Sequence, residues 1–293
     1  MSDTVAVAAP MAPSRAGLRA LAPLLRSSSG LVGLTLVVAF ALLAIASATG
    51  LLGDPAAQDT ASRLQPPSGA HWLGTDQFGR DVLARVASGV VNSALVSIVA
   101  VAFAAVVGVA GGLVSGYLRG LGDSVIGGVT NVLFAFPPLL LALTLASVFS
   151  RTWFTVAIAI AVVYTPIFVR VTRGPVLSLR EIDYVSAARA TGMGAPGIML
   201  RHVLPNITGI LIVQITLSLS WAVLTEASLS FLGFGTPPPA ASLGSMVFDA
   251  QTLVVAAPWT MAGPGLVLIL LIVGLNLLGD GLRDALDPNR KGH

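Results

Sequence analysis

The chain has 293 residues, 55% of them hydrophobic and only 10% charged, with a mean hydropathy of +0.89 and a formal net charge of +3. Soluble domains carry about 25% charged residues, so this balance excludes a soluble globular fold, and its hydrophobicity excludes disorder. The charge bias is too weak to argue for nucleic acid, and the absence of cysteine removes disulfides, thiolate metal sites and cysteine nucleophiles.

A membrane-spanning helix needs about 20 mostly apolar residues. Six such runs occur in chain order: Leu31 to Leu52, Val90 to Val114, Ser124 to Phe149, Trp153 to Val171, Ile207 to Ser228 and Ala262 to Gly279. The first is read as a retained helix, because about 22 apolar residues exceed the 7–15 of a signal-peptide core. Ahead of it, the Ala/Pro-rich tail 1–29 holds Arg15, Arg19 and Arg26 on one helical face and Leu18, Leu21 and Leu25 on another. That pattern suits a helix lying on an anionic membrane surface, interrupted by Pro23. With both termini cytoplasmic, 12 of the 16 basic residues fall inside, leaving Arg63, Arg80, Arg85 and Arg151 outside. Basic residues favour the cytoplasmic side, which supports this orientation.

After the first span comes a polar outer segment, Gly53 to Gly89, and then the second span, where Gly108, Gly112 and Gly116 lie four apart. Small residues at that spacing predict a close helix–helix contact. Gly120-Leu121-Gly122-Asp123 predicts a tight turn with Asp123 as the cap of the third span. Pro137-Pro138 in the third span and Pro166 in the fourth remove amide donors and predict kinks, which fit a bundle enclosing a path better than an inert anchor.

The deep polar residues, Asn131, Thr144, Thr165, Gln214, Thr216, Ser218, Ser220 and Asn276, are not ionisable. A proton-driven carrier normally needs buried acids, bases or histidines, so energy must come from elsewhere unless the chain is a passive pore. Glu226, near the outer end of the fifth span, reads either as a gate or pore-lining group or as a hydrogen-bonded interfacial carboxylate. His71, His202 and His293 are far apart, and no metal site is expected. No reactive constellation for a membrane enzyme can be assembled, and the single lysine, Lys291, does not lie in a Gly-rich phosphate loop. The chain therefore needs no cofactor of its own.

The inner loop, Thr172 to Asn206, carries EIDYVSAARATGMGAPGIMLRHVLPN from Glu181. Ile182, Val185, Ala188 and Arg189 predict a short amphipathic helix, with Asp183 near its start and Gly192 ending it. A second short helix starts at Pro196 and runs to His202, before Pro205. Two short helices joined by a Gly-Met-Gly turn form a protein-docking knob, or alternatively a pair lying on the headgroups.

This stretch resembles the inner loop of permease subunits of bacterial ABC importers of the dipeptide/oligopeptide/nickel group. That motif runs Glu-Ala-Ala, three residues, Gly, nine residues, Ile, one residue, Leu-Pro. The chain has Ser186-Ala187-Ala188, Gly192, His202 and Leu204-Pro205 at the same spacing, with Ser186 for the glutamate and His202 for the isoleucine. The segment from His71 to Asp81 is similar to the outer HxLGTDxxGRD segment of the second permease of the pair. Ala135-Phe136-Pro137 and the run from Glu226 to Gly233 also match, and Leu243-Gly244 stands where Trp-Gly is common.

The resemblance, over roughly residues 20 to 288, implies an all-α type I importer permease with six transmembrane helices in the bacterial plasma membrane. A first helix and outer segment, 30–89, would precede a core domain, 90–280, and a cytoplasmic tail, 281–293. It implies a second, homologous permease, two cytoplasmic ATPases that bind ATP and Mg, an extracytoplasmic binding protein and surrounding lipid. ATPase coupling falls to Asp183, Tyr184, Ser186, Ala187, Ala188, Arg189, Gly192 and Pro205. Pore or gate candidates are Phe136, Pro137, Gln214 and Glu226, and binding-protein contacts are Asp76, Arg80, Asp81 and Asp249. Di- and oligopeptides lead as cargo. Nickel or another small solute, and a self-sufficient channel or secondary carrier, remain open.

Overall fold

Long apolar runs without Asp, Lys or Arg leave the backbone no partner but itself, and every regular element among the described residues of the computed structural model is helical. The structure describes residues 24–25 and 27–286. The surface helix expected in the 1–29 tail therefore lies largely outside the described residues, as does the chain beyond 286.

In chain order the helices are α1 (Ser28–Ala48), α2 (Val82–Leu118), α3 (Gly120–Ala135), α4 (Pro138–Val148), α5 (Trp153–Leu179), α6 (Asp183–Ala190), α7 (Ala195–Ile198), α8 (Leu204–Phe231), α9 (Leu243–Asp249) and α10 (Trp259–Leu286). Five segments are long and apolar enough to cross a membrane, and α3 with α4 forms a sixth, bent by 95° at its break. The expected kink is thus a full break. Phe136 is extended (φ −88°, ψ 138°), as a residue before proline prefers, and Pro138 opens the next helix where its missing N–H costs nothing.

Four further expectations are corrected. The second span begins at Val82 rather than Val90, because the Asp81 carboxylate caps the helix by accepting from Ala84 N at 2.9 Å. Arg85, read as part of an outer loop, lies instead in the first turn of α2 and is only 4% exposed. Asp123 caps nothing: α3 starts at Gly120, and the Asp123 carboxylate accepts from Ser115 and, at 2.8 Å to each oxygen, from the Arg173 guanidinium. Pro205 ends no helix. α7 passes through a π-turn, Met199–Val203, into α8, and Pro205 sits in the first turn of α8.

The Gly108/Gly112/Gly116 stripe packs against α5. A Cβ on Gly108 would lie 2.4 Å from Phe168 Cβ, one on Gly112 2.5 Å from Thr172 Cβ, and one on Gly116 2.9 Å from Val176 Cβ. Backbones at this approach gain dispersion contacts that larger side chains would prevent. A second crossing of the same kind, not anticipated, joins α1 to α10, where Gly33 abuts Leu278 N and Gly281 abuts Gly30 Cα. α5 continues through Pro166 and Pro175 to Leu179, so Arg170 and Arg173 belong to a helix and the loop beyond it is short.

The two ends of α2 define the two ends of the molecule. One carries a cap built from residues 53–81 and α9, the other a knob built from α6 and α7.

Candidate functional site

At the knob, a single buried side chain roots a helix of polar residues. Val185 is fully buried and joins Leu113, Tyr117, Val176, Ile198, Val203 and Ile207 in one apolar cluster. The remaining turns of α6 face outward: Asp183, Tyr184, Ser186, Ala187 and Arg189 are exposed and Ala188 is half-buried. Gly192 takes φ +84° just past the helix, where its N–H bonds Arg189 O at 3.1 Å and that of Met193 bonds Ala188 O at 3.1 Å. That paired closure requires a left-handed residue, which glycine supplies at least cost. The Tyr184 ring packs 6.3 Å from His202, Arg180 donates to Tyr117 O at 2.9 Å, and the Arg189 guanidinium lies 5.7 Å from the Tyr117 ring centre. The element is fixed to the bundle by Val185 and by Arg189, whose guanidinium reaches Tyr117, and it presents Asp183 to solvent. Pro205, exposed at the base of α8, stands apart from this face.

In the middle of the molecule, Phe136 at the α3/α4 break is 52% exposed and Pro137 is exposed beside it. Gln214 is half-buried and donates to Ser218 Oγ at 3.0 Å, and Ser220 donates to Asn276 at 2.7 Å, tying α8 to α10. Toward the knob end, α3 and α5 border a cavity of about 440 Å³ lined by Ser124, Asn131, Arg170 and Arg173. Arg170 donates to Asn131 Oδ1 at 3.1 Å and lies 3.9 Å over the Phe134 ring.

Glu226 is fully buried. Its Oε2 accepts from Ser93 at 2.6 Å and its Oε1 from Ser230 at 2.6 Å and Ser242 at 3.2 Å. Three hydroxyl donors from α2, from α8 itself and from the residue before α9 make it an internal strut. Of the two readings, the hydrogen-bonded carboxylate fits this geometry, though inside the protein rather than at an interface. Gly244 completes the joint: a Cβ there would lie 2.1 Å from Ala227 O.

In the cap, the motif residues mostly bind one another. Asp76 Oδ1 accepts from Phe78 N at 2.8 Å and Arg80 N at 3.0 Å, while Oδ2 pairs with Arg80 Nε at 2.6 Å. Gly79, at φ +74°, lets that turn press on residue 59, where a Cβ would meet Asp59 O at 1.7 Å. Asp81 both caps α2 and contacts His71 Nδ1 at 2.8 Å. Thr75 O accepts from Trp259 Nε1 at 3.1 Å, fastening the cap to α10. Asp76, Arg80 and Asp81 are therefore engaged inside the cap.

Asp249 differs. It lies at the end of α9, open to solvent, and partial burial pushes its carboxyl above the usual carboxylate range despite Arg85 and Arg80 nearby. Between it and the 76–80 turn is a cleft of about 340 Å³ lined by Phe78, Arg80, Arg85, Pro238 and Asp249. The structure thus groups the four cap candidates, groups α6, and separates Glu226 from Phe136, Pro137 and Gln214. Sequence reading missed Arg85 and the three serines around Glu226. The helix-capping character of Asp81 would have placed Arg85 on the helix, and the i,i+4 spacing could have paired Ser230 with Glu226, whereas Ser93 and Ser242 carry no spacing signal.

Residues 108–292 match the family described as binding-protein-dependent transport system inner membrane component. The chain is 39% identical over 266 residues to the dipeptide transport system permease protein of Alkalihalophilus pseudofirmus, covering 91% of this chain and 88% of that one. It is 37% identical over 298 residues to the dipeptide transport system permease protein of Haemophilus influenzae, covering 99% and 100%. It is 34% identical over 258 residues to the oligopeptide transport system permease protein of Bacillus subtilis, covering 88% and 85%.

Proposed function

The chain belongs to the binding-protein-dependent transport system inner membrane components, and from that premise we propose that it forms half of the pore of an ATP-driven peptide importer. It is an integral permease of the bacterial inner membrane. Its relatives carry the names of dipeptide and oligopeptide permeases, which supports di- and oligopeptides as the cargo. The chain itself is non-catalytic in this reading. A second permease of similar fold completes the path, two cytoplasmic ATPases hold the ATP and Mg, and an extracytoplasmic binding protein delivers peptide at the cap.

The observation that carries the reading is α6. A short helix whose only fully buried side chain is Val185, with Asp183, Tyr184, Ser186, Ala187 and Arg189 exposed, is built to be gripped by another protein. Placing α6 in the cytoplasm agrees with the positive-inside distribution of arginines. The ATPases closing on α6 would push the base of the bundle, and α3 with α4, broken beside Phe136 and Pro137, offers the joint that can swing. Gln214 remains a path-lining candidate. Glu226 acts as a strut that holds α9 to α2 and α8.

The complete importer reconstituted in proteoliposomes tests this. Reversing both charges, Asp183→Arg with Arg189→Asp, should leave assembly intact while peptide uptake per ATP hydrolysed falls by about tenfold or more. Undiminished coupled uptake, or transport by this chain without the ATPases, would overturn the reading.

A further inference from the structure

The cleft between the 76–80 turn and α9 is bordered by a buried arginine with an unpaired Nη1 and by a carboxylate with no ion-pair or hydrogen-bond partner among the described residues. Arg85 is 4% exposed, with its Nε 3.5 Å from Asp76 Oδ2 and its Nη1 without any hydrogen-bond partner among the described residues. Asp76 Oδ2 is shared between Arg80 Nε at 2.6 Å and Arg85 Nε at 3.5 Å, so Arg85 has only the longer share of it and no partner at Nη1. A buried donor left without a partner is costly, and more so on a charged group. On the other element lining the cleft, Asp249 is near enough to feel the charge of Arg85 and Arg80, yet it forms no ion pair or hydrogen bond among the described residues. The volume, about 340 Å³, falls within the range of small-molecule sites, and Phe78 with Pro238 and Pro239 supplies apolar wall.

We infer that this cleft is a reception subsite for a short zwitterionic peptide, with the peptide carboxylate on Arg85 and Arg80 and its α-ammonium on Asp249. The assignment rests on the peptide-import reading and adds to it a place and a charge pattern. A lone carboxylate would satisfy Arg85 and leave Asp249 unpaired. A ligand with both charges a few ångströms apart fills both. The Arg85 Nη1 atom is closed to solvent in the ligand-free chain, so engagement includes a shift of the cleft walls.

Equilibrium binding of radiolabelled dialanine to the complete permease–ATPase complex in nanodiscs, without binding protein, reads the site directly. Saturable binding is expected, weakened about tenfold or more by C-terminal amidation and, separately, by N-acetylation. Asp249→Asn should erase the discrimination against the acetylated peptide, and Arg85→Gln the discrimination against the amide. If Arg85→Gln fails to assemble, Asp249→Asn and the two blocked peptides decide alone. Absent saturable binding, or equal binding of blocked and free peptides, overturns the subsite. So does an Asp249→Asn variant that weakens docking of the binding protein while leaving peptide discrimination unchanged, which would assign the cleft to a side chain of that protein. Uptake of dialanine by the complete importer runs alongside. No uptake strikes at the import reading, and uptake with an indifferent cleft strikes only at the subsite.

Discussion

Two short helices of nearly equal length, α6 with eight residues and α9 with seven, sit at opposite ends of the molecule and are used in opposite ways. α9 is drawn into the protein: Leu243, Gly244 and Met246 are buried, and Ser242 before it donates to the buried Glu226. α6 is pushed out, anchored by Val185 and displaying Asp183, Tyr184 and Arg189. Length and polarity alone do not separate a docking element from an internal brace. What separates them is how much of each helix the rest of the chain covers: three residues of α9 are buried, and only Val185 of α6.

That contrast can be broken most severely at two left-handed glycines. Gly79→Ala in the cap forces a Cβ into Asp59 O and should cost about 3 kcal/mol or more, read as loss of folded, assembled protein. Gly192→Ala in the knob meets open space, so only backbone strain of about 1 kcal/mol is expected in thermal unfolding. Equal losses would mean the knob is packed as tightly as the cap.

Next in size is Glu226→Ala, which strands hydroxyls of Ser93, Ser230 and Ser242 and should destabilise by about 3 kcal/mol. Ser186→Ala on α6 should stay within about 0.5 kcal/mol. Val185→Ala sharpens the comparison from the other side: on a helix otherwise open to solvent it should cost about 1–2 kcal/mol, because this residue roots α6.

The smallest effect concerns pH at the cap. Because burial raises the Asp249 carboxyl, the folded chain holds that proton more tightly than the unfolded chain. The stabilisation is present below the ordinary carboxylate range and is lost as pH rises through the raised value. Asp249→Asn should flatten this slope in melting temperature against pH, and an unchanged slope would assign it to other groups.

Much of this was legible beforehand. Six apolar runs mark the spans because lipid offers the backbone no other partner, and the Gly108/Gly112/Gly116 spacing marks a crossing because only small residues allow it. The extent of α6 was readable from Asp183 and Gly192, a charge near the start and a left-handed stop. What stayed hidden depended on distant partners. Glu226 could be a gate or a brace until Ser93 and Ser242, far away in sequence, were brought against it. Pro205 looks like a terminator in a string of residues, yet the π-turn before it lets one helix run into the next. Arg85 was misplaced because a charged residue ahead of an apolar run reads as loop unless the capping role of Asp81 moves the helix start upstream.

One dimension of α2 carries a mechanical consequence. At 1.5 Å per residue its 37 residues form a rod about 55 Å long, nearly twice the roughly 30 Å of hydrocarbon it crosses. Its first turn holds Arg85 beside the cleft, and its last holds Tyr117 under Arg180 and Arg189. With no proline along it and α5 fitted against its glycines, it is a stiff see-saw beam: a tilt of about 5° about its middle moves the two tips by about 2.4 Å each, in opposite directions. Whatever grips the molecule on one side of the bilayer is thereby felt on the far side without any relay of side chains between.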